Sequence, residues 1–132
     1  MESPLRALIV DDAEMSRRIT RRIISKVFIC DDAENGLIAV SKYREAIESG
    51  APYDVVFMDI VMPEMDGKEA VKTIRELETK LGVERTPIIM VSASEMLDEI
   101  DELVNGLLRK AVTRQSLNSL LFPLFDGRME PL

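Results

Sequence analysis

Five short apolar runs, separated by longer amphipathic segments, constrain this chain more than any other feature. The runs are Leu5–Val10, Val27–Cys30, Tyr53–Met58, Pro87–Val91 and Gly106–Leu108. LRALIV, DVVFM and PIIMV are almost wholly apolar, as strands covered on both faces are. Helical spacing fills the intervals. Met15, Ile19, Ile23 and Ile24 recur in Glu14–Lys26; Leu37, Val40 and Ile47 in Gly36–Ser49; Ala70, Val71, Ile74 and Leu77 in Gly67–Leu81. Ser94–Asn105 and Thr113–Leu121 complete the set, with Thr113 as an N-cap and Gly82 as a C-terminal stop. The alternation predicts an α/β fold, a doubly wound five-stranded parallel sheet with helices on both faces. Ligands of such a sheet gather at the carboxyl ends of its strands.

A length of 132 residues suits one domain, with a core at about 5–124 and a tail at 125–132 that is expected to fray or to begin a connection. Aromatic residues are scarce, so Ile, Val, Leu and the eight Met must fill the interior. The net charge of −7 disfavours nucleic acid and anionic membranes as partners. With one cysteine and no histidine, an internal disulfide, a zinc site of the usual ligands and hydrolases of the Ser-His-Asp or Cys-His kind are excluded. Cys30, within an apolar run, reads as a small buried side chain. No run is long enough to cross a bilayer and the N-terminus does not read as a secretory signal. The expected compartment is cytoplasmic, or nucleocytoplasmic in a eukaryote.

Asp11 and Asp12 follow the first run, Asp59 ends the third, Ser92 ends the fourth and Lys110 follows the fifth. Adjacent strand ends would bring these residues into one cleft. Three clustered carboxylates repel, and a hard divalent cation such as magnesium relieves the repulsion. A carboxylate can also attack phosphorus. A metal, a lysine and a hydroxyl suit the oxygens of a transferred phosphoryl group. Each residue alone has a plainer reading: Asp12 could cap the following helix, Ser92 could cap another, and Lys110 could be solvated. Asp59 is harder to dismiss, because it interrupts an apolar stretch and a charge there needs a partner.

These residues resemble the receiver domains of two-component response regulators. LIVDD resembles that family's first strand and acid pair, Val55–Gly67 (VVFMDIVMPEMDG) its phosphoacceptor motif, and PIIMVSAS its fourth strand with the hydroxyl residue. The resemblance spans roughly Leu5 to Leu124. It implies a flavodoxin-like sheet of strand order 2-1-3-4-5. It implies that Asp59 takes a phosphoryl group from a phosphohistidine on a histidine kinase or histidine phosphotransfer protein. It also implies that Asp11, Asp12, Asp59 and the backbone carbonyl of Val61 surround Mg²⁺, that Lys110 pairs with the phosphoryl oxygens, and that Ser92 moves to contact them. A downstream protein would dock on the face of the fourth helix, fifth strand and fifth helix. Such a chain is a signalling phosphoacceptor, at most promoting its own phosphotransfer and dephosphorylation. A stand-alone regulator, a phosphate sink or shuttle and the receiver of a hybrid histidine kinase are all open, with no DNA-binding output module expected; the Arg- and Glu-rich third helix resembles the receivers of hybrid kinases.

The chain departs from the pattern at several points. Ala111 stands where the family has a cis proline, so a trans bond or a strained turn is expected. Leu107 occupies the aromatic switch position. The stretch from Ser92 to Lys110 is about one helical turn short, and that from Asp12 to Gly36 is slightly short. Phosphorylation would be retained and read-out altered. A competing reading is a degenerate receiver that binds partners independently of phosphorylation. An aspartyl-nucleophile phosphatase of the haloacid-dehalogenase type is disfavoured, because the first strand gives DDAEM and no cap segment is present. Val61 cannot orient water through its side chain, so slow self-dephosphorylation is expected. The lifetime of the phosphorylated chain after donor removal measures it, and loss within seconds would contradict the reading.

Overall fold

The computed structural model describes residues 4–60, 62, 65–92 and 101–132. In chain order the elements are β1 (Leu5–Val10), α1 (Glu14–Ile24), β2 (Phe28–Ala33), α2 (Gly36–Glu48), β3 (Val55–Asp59), α3 (Gly67–Leu81), β4 (Ile88–Ser92), a 3-10 turn (Asp101–Leu103), β5 (Gly106–Arg109) and α4 (Arg114–Leu124). All pairings are parallel and the strand order is β2-β1-β3-β4-β5. Most of the expected fourth helix, residues 94–100, lies outside the described residues; Asp101–Leu103 form a 3-10 turn.

Strand alternation builds two cores. Leu8, Val10, Val56, Met58, Ile88 and Met90 face α2 and α3, meeting Tyr43, Val71 and Ile74. Ala7, Ile9, Phe57, Ile89 and Leu108 face α1 and α4, meeting Ile24, Leu117 and Leu121. This two-sided burial explains the unbroken apolar runs. The central β3 and β4 are buried along their whole length.

Local chemistry ends the helices as expected in two places. Thr113 caps α4 in a reciprocal box with Ser116, and Gly82 closes α3 at φ 67°. β2 extends past the expected Cys30 to Ala33, because partners absorb the charges of its edge position. Asp31 accepts from Arg6 and Tyr53, and Asp32 from Arg21. Cys30 is half-buried; burial, followed by the nearby Asp32 and Asp31 charges and against the pull of Arg21, pushes its thiol up to about 11. The tail does not fray. Phe125 packs edge-on to Phe28, Leu132 is buried, and its amide donates to Asn118 Oδ1 at 2.9 Å.

One buried ionic network joins the layers. Arg75 donates to Glu78 at 2.7 Å, to the Thr86 carbonyl at 2.9 Å, to the Leu103 carbonyl at 2.9 Å and to Asn105 at 3.3 Å. Glu78 also accepts from the Tyr43 hydroxyl at 2.5 Å and the Thr86 amide at 2.7 Å. Breaking a buried pair leaves an uncompensated charge, a loss of about 3–5 kcal/mol. Arg75→Met should therefore lower urea-unfolding stability by about that amount, and adding Glu78→Leu should recover part of it. A single and a double variant of equal stability would contradict this account.

Candidate functional site

Pleat parity positions the site. Ile9, Phe57 and Leu108 face the α1 and α4 layer, so residues two steps further, Asp11, Asp59 and Lys110, emerge on that same side. Lys110 Nζ lies 3.1 Å from Asp11 Oδ2 and 3.3 Å from Asp59 Oδ2. One oxygen from each of Asp11, Asp12 and Asp59 lies within 4.8 Å of the others; Asp11 and Asp59 are buried and Asp12 is exposed.

Backbone contacts fix these groups. The Asp11 amide donates to the Ala33 carbonyl at 3.0 Å, and Asp11 Oδ1 accepts from the Ala13 amide at 2.9 Å. Asp12 does not cap α1: the N-cap is Ala13, with no side-chain cap bond. That leaves the Asp12 carboxylate to the cluster. Beyond Asp59, Asp66 caps α3 by accepting from the Glu69 amide at 2.9 Å, and the Gly67 amide donates to the Ile60 carbonyl at 2.8 Å. A β-carbon on Gly67 would overlap the Asp59 carbonyl oxygen and lie 2.9 Å from the Ile60 α-carbon. Glycine there lets α3 begin against the backbone of Asp59.

The Lys110–Ala111 bond is cis; of the trans bond or strained turn expected without proline, the trans bond does not form. Lys110 keeps its ammonium on the carboxylates, and its amide donates to the Ser92 carbonyl at 3.0 Å. Ser92 is buried at the end of β4, one register step beyond the residue paired with Asp59. Its parity follows Ile88 and Met90, toward the α3 layer, opposite to that of Lys110. Leu107 pairs in register with Met90 and is exposed on the edge strand. Val61 lies outside the described residues.

Burial, reinforced by the charges of Asp11 and Asp12 and opposed by Lys110, raises the Asp59 carboxyl to about 6. Burial would lower Lys110, but its bonds to Asp11 and Asp59 outweigh that and hold it protonated above its ordinary value. An all-oxygen, acid-rich donor set whose central member resists ionising fits a hard divalent cation.

Arg17 is a site residue that the sequence reading missed. Its Nη1 donates to the Asp11 carbonyl at 2.7 Å. The signal was the i, i+4 pair Arg17 and Arg21 on the helix that follows the acid pair. Met15 and Ile19, read as an apolar helical stripe, are exposed, whereas Ile24 from the same stripe is buried.

Because the folded Asp59 binds its proton more tightly than an unfolded aspartate, the metal-free protein loses stability as pH rises from about 4 through about 6. Asp59→Asn should stabilise it at pH 8 by roughly 1–3 kcal/mol, with the gain vanishing near pH 4. Urea unfolding in chelator tests this; a gain that grows on acidification would contradict it.

The family model for the response regulator receiver domain matches residues 7–121. A two-component response regulator of rice (Oryza sativa subsp. japonica), ORR41, is 38% identical over 105 residues, covering 77% of this chain and 76% of that protein. Probable histidine kinase 2 of rice (subsp. indica) is 37% identical over 111 residues, covering 76% of this chain. The chain spans only 10% of that kinase's length. Among solved structures, the receiver domain of the Arabidopsis thaliana histidine kinase CKI1, complexed with Mg²⁺ and BeF₃⁻, superposes with a TM-score of 0.76 at 29% identity, over 91% of this chain and 89% of that one. With its sheet order, its acid cluster and these matches, the chain belongs to the response regulator receiver domain family of two-component signalling.

Proposed function

We propose that Asp59 accepts a phosphoryl group from a phosphohistidine of a histidine kinase or histidine phosphotransfer protein. The observation that carries this reading is the meeting of a buried Asp59 with Lys110 and two further carboxylates at one end of the sheet. A carboxylate oxygen of Asp59 attacks phosphorus, the phosphorus–nitrogen bond breaks, and the imidazole nitrogen keeps the electron pair. Lys110, already on Asp59 and Asp11, neutralises the oxygens of the arriving group. Asp11, Asp12 and Asp59, with the Val61 carbonyl, would hold Mg²⁺. Bound there, the ion supplies positive charge that keeps Asp59 ionised and offsets the phosphoryl oxygens. The Mg²⁺ and BeF₃⁻ bound by the CKI1 receiver support the same assignment here.

The donor has a landing surface. Exposed Ile19 borders a groove of about 90 Å³, lined by Asp11, Thr20, Lys110 and Val112 among others, and exposed Met15 stands on the same helix. Among the described residues no helix is long and apolar enough to cross a membrane. Ser92 would shift toward the phosphoryl group, and Leu107 would change packing without an aromatic ring. A downstream partner would read β5 and α4, together with the expected fourth helix, most of which lies outside the described residues. The chain acts as a phosphoacceptor and promotes no reaction beyond its own phosphorylation and dephosphorylation. The seating of Lys110 on both carboxylates favours this reading over a phosphorylation-independent interaction module.

Phosphotransfer from a phosphorylated histidine phosphotransfer protein tests the proposal. The wild type should gain one acid-labile phosphoryl group in Mg²⁺. Asp59→Asn, or wild type in chelator, should lose at least about a hundredfold in rate, as loss of a nucleophile or its metal does. Equal labelling of Asp59→Asn would overturn it.

A further inference from the structure

Among the described residues, Lys110 and Arg17 approach the acid cluster in different ways. Lys110 rests on carboxylate oxygens of Asp11 and Asp59. Arg17 touches neither carboxylate: its Nη1 holds the backbone carbonyl of Asp11 at 2.7 Å. Its Nε is buried, makes no hydrogen bond, and faces Asp32 Oδ2 at 3.5 Å. Asp32 is held in turn by Arg21, and its own carbonyl accepts from Lys42. A chain of contacts thus runs from the edge strand β2, through α1, to the peptide that joins Asp11 and Asp12.

We infer that Arg17, oriented by Asp32, is a positioning residue that fixes the Asp11–Asp12 peptide so that both carboxylates face the divalent-cation site. This rests on the proposed phosphoacceptor reading. Lys110 and Arg17 divide the labour. A cation entering the cluster competes with Lys110 for the same oxygens, but the carbonyl held by Arg17 is not among them. The Arg17 contact therefore persists as the site fills. Asp11 is already bound at its amide and at Oδ1. The Arg17 bond secures the carbonyl side of the same residue and so limits rotation of the peptide that carries Asp12.

The sign of the effect separates positioning from simple charge. Arg17 is positive, so deleting it on electrostatic grounds alone should tighten Mg²⁺ binding. Loss of a positioning contact should weaken it, by about ten- to a hundredfold for outer contacts of a metal site.

The experiment follows the Ala13 amide resonance during Mg²⁺ titration without phosphodonor, for wild type, Arg17→Gln, Arg17→Lys and Asp32→Asn. Arg17→Gln should raise the midpoint at least about tenfold. Asp32→Asn should raise it less, and the two changes together should do no worse than Arg17→Gln alone, since both act on one contact. Saturating Mg²⁺ should restore phosphoryl uptake, which a general loss of structure would not allow. If Arg17→Gln does not fold, Arg17→Lys carries the test: it keeps the charge, so a raised midpoint there reports the lost contact. An unchanged or lowered midpoint in a folded variant overturns the inference. Failure of wild-type Asp59 to be phosphorylated while its Mg²⁺ midpoint still depends on Arg17 would overturn the phosphoacceptor reading and leave the positioning role standing.

Discussion

Repulsion among three carboxylates at one end of a parallel sheet is the constraint on which the rest of this structure depends. Asp11 and Asp59 are buried, and one carboxylate oxygen from each of the three acids lies within 4.8 Å of the others. Without an added cation the cluster accommodates this in two ways: Lys110 sits between two of the acids, and Asp59 holds its proton up to about 6. Burial is the largest cause of that shift. The apolar sheet that orders the site is therefore also what makes it costly to ionise.

The fold supplies that burial while leaving one edge of the site open. β3 is covered by helices on both faces, so Asp59 ends a wholly buried strand. The cluster lies where β1, β3 and β5 stop, under the start of α1 and beside the turn at Ala111. Gly67 brings α3 up against the Asp59 backbone, and Arg17 ties α1 to the Asp11 carbonyl. Far from this end, the Arg75–Glu78 network clamps the lead-ins to β4 and β5. The strands that carry Ser92 and Lys110 are thus anchored at their opposite ends.

Much of this was legible in the sequence, for a physical reason. Strands buried on both faces must be apolar throughout, so LRALIV, DVVFM and PIIMV marked the central sheet, and the acids after them marked its carboxyl edge. Charges satisfied inside the protein left no such mark. Arg75 and Glu78 look in sequence like a solvated helical pair, and only tertiary structure buries them. Asp31 and Asp32 looked like the end of a strand, because their partners Arg6, Tyr53 and Arg21 come from distant segments. The tail held only scattered apolar residues, yet Phe125 and Leu132 complete the α4 side of the core. The cis bond before Ala111 had no local cue at all, since the residue that normally announces one is missing.

The account's central claim is that the cluster is built to receive a cation, and carboxyl ¹³C NMR titration of Asp59 tests it most directly. Without divalent metal, Asp59 should titrate near 6, above an ordinary aspartate. With saturating Mg²⁺ the same resonance should titrate below the ordinary carboxylate range, because the ion favours the charged form. A metal-free Asp59 that titrates as an exposed aspartate, or one whose midpoint does not move with Mg²⁺, would contradict the account.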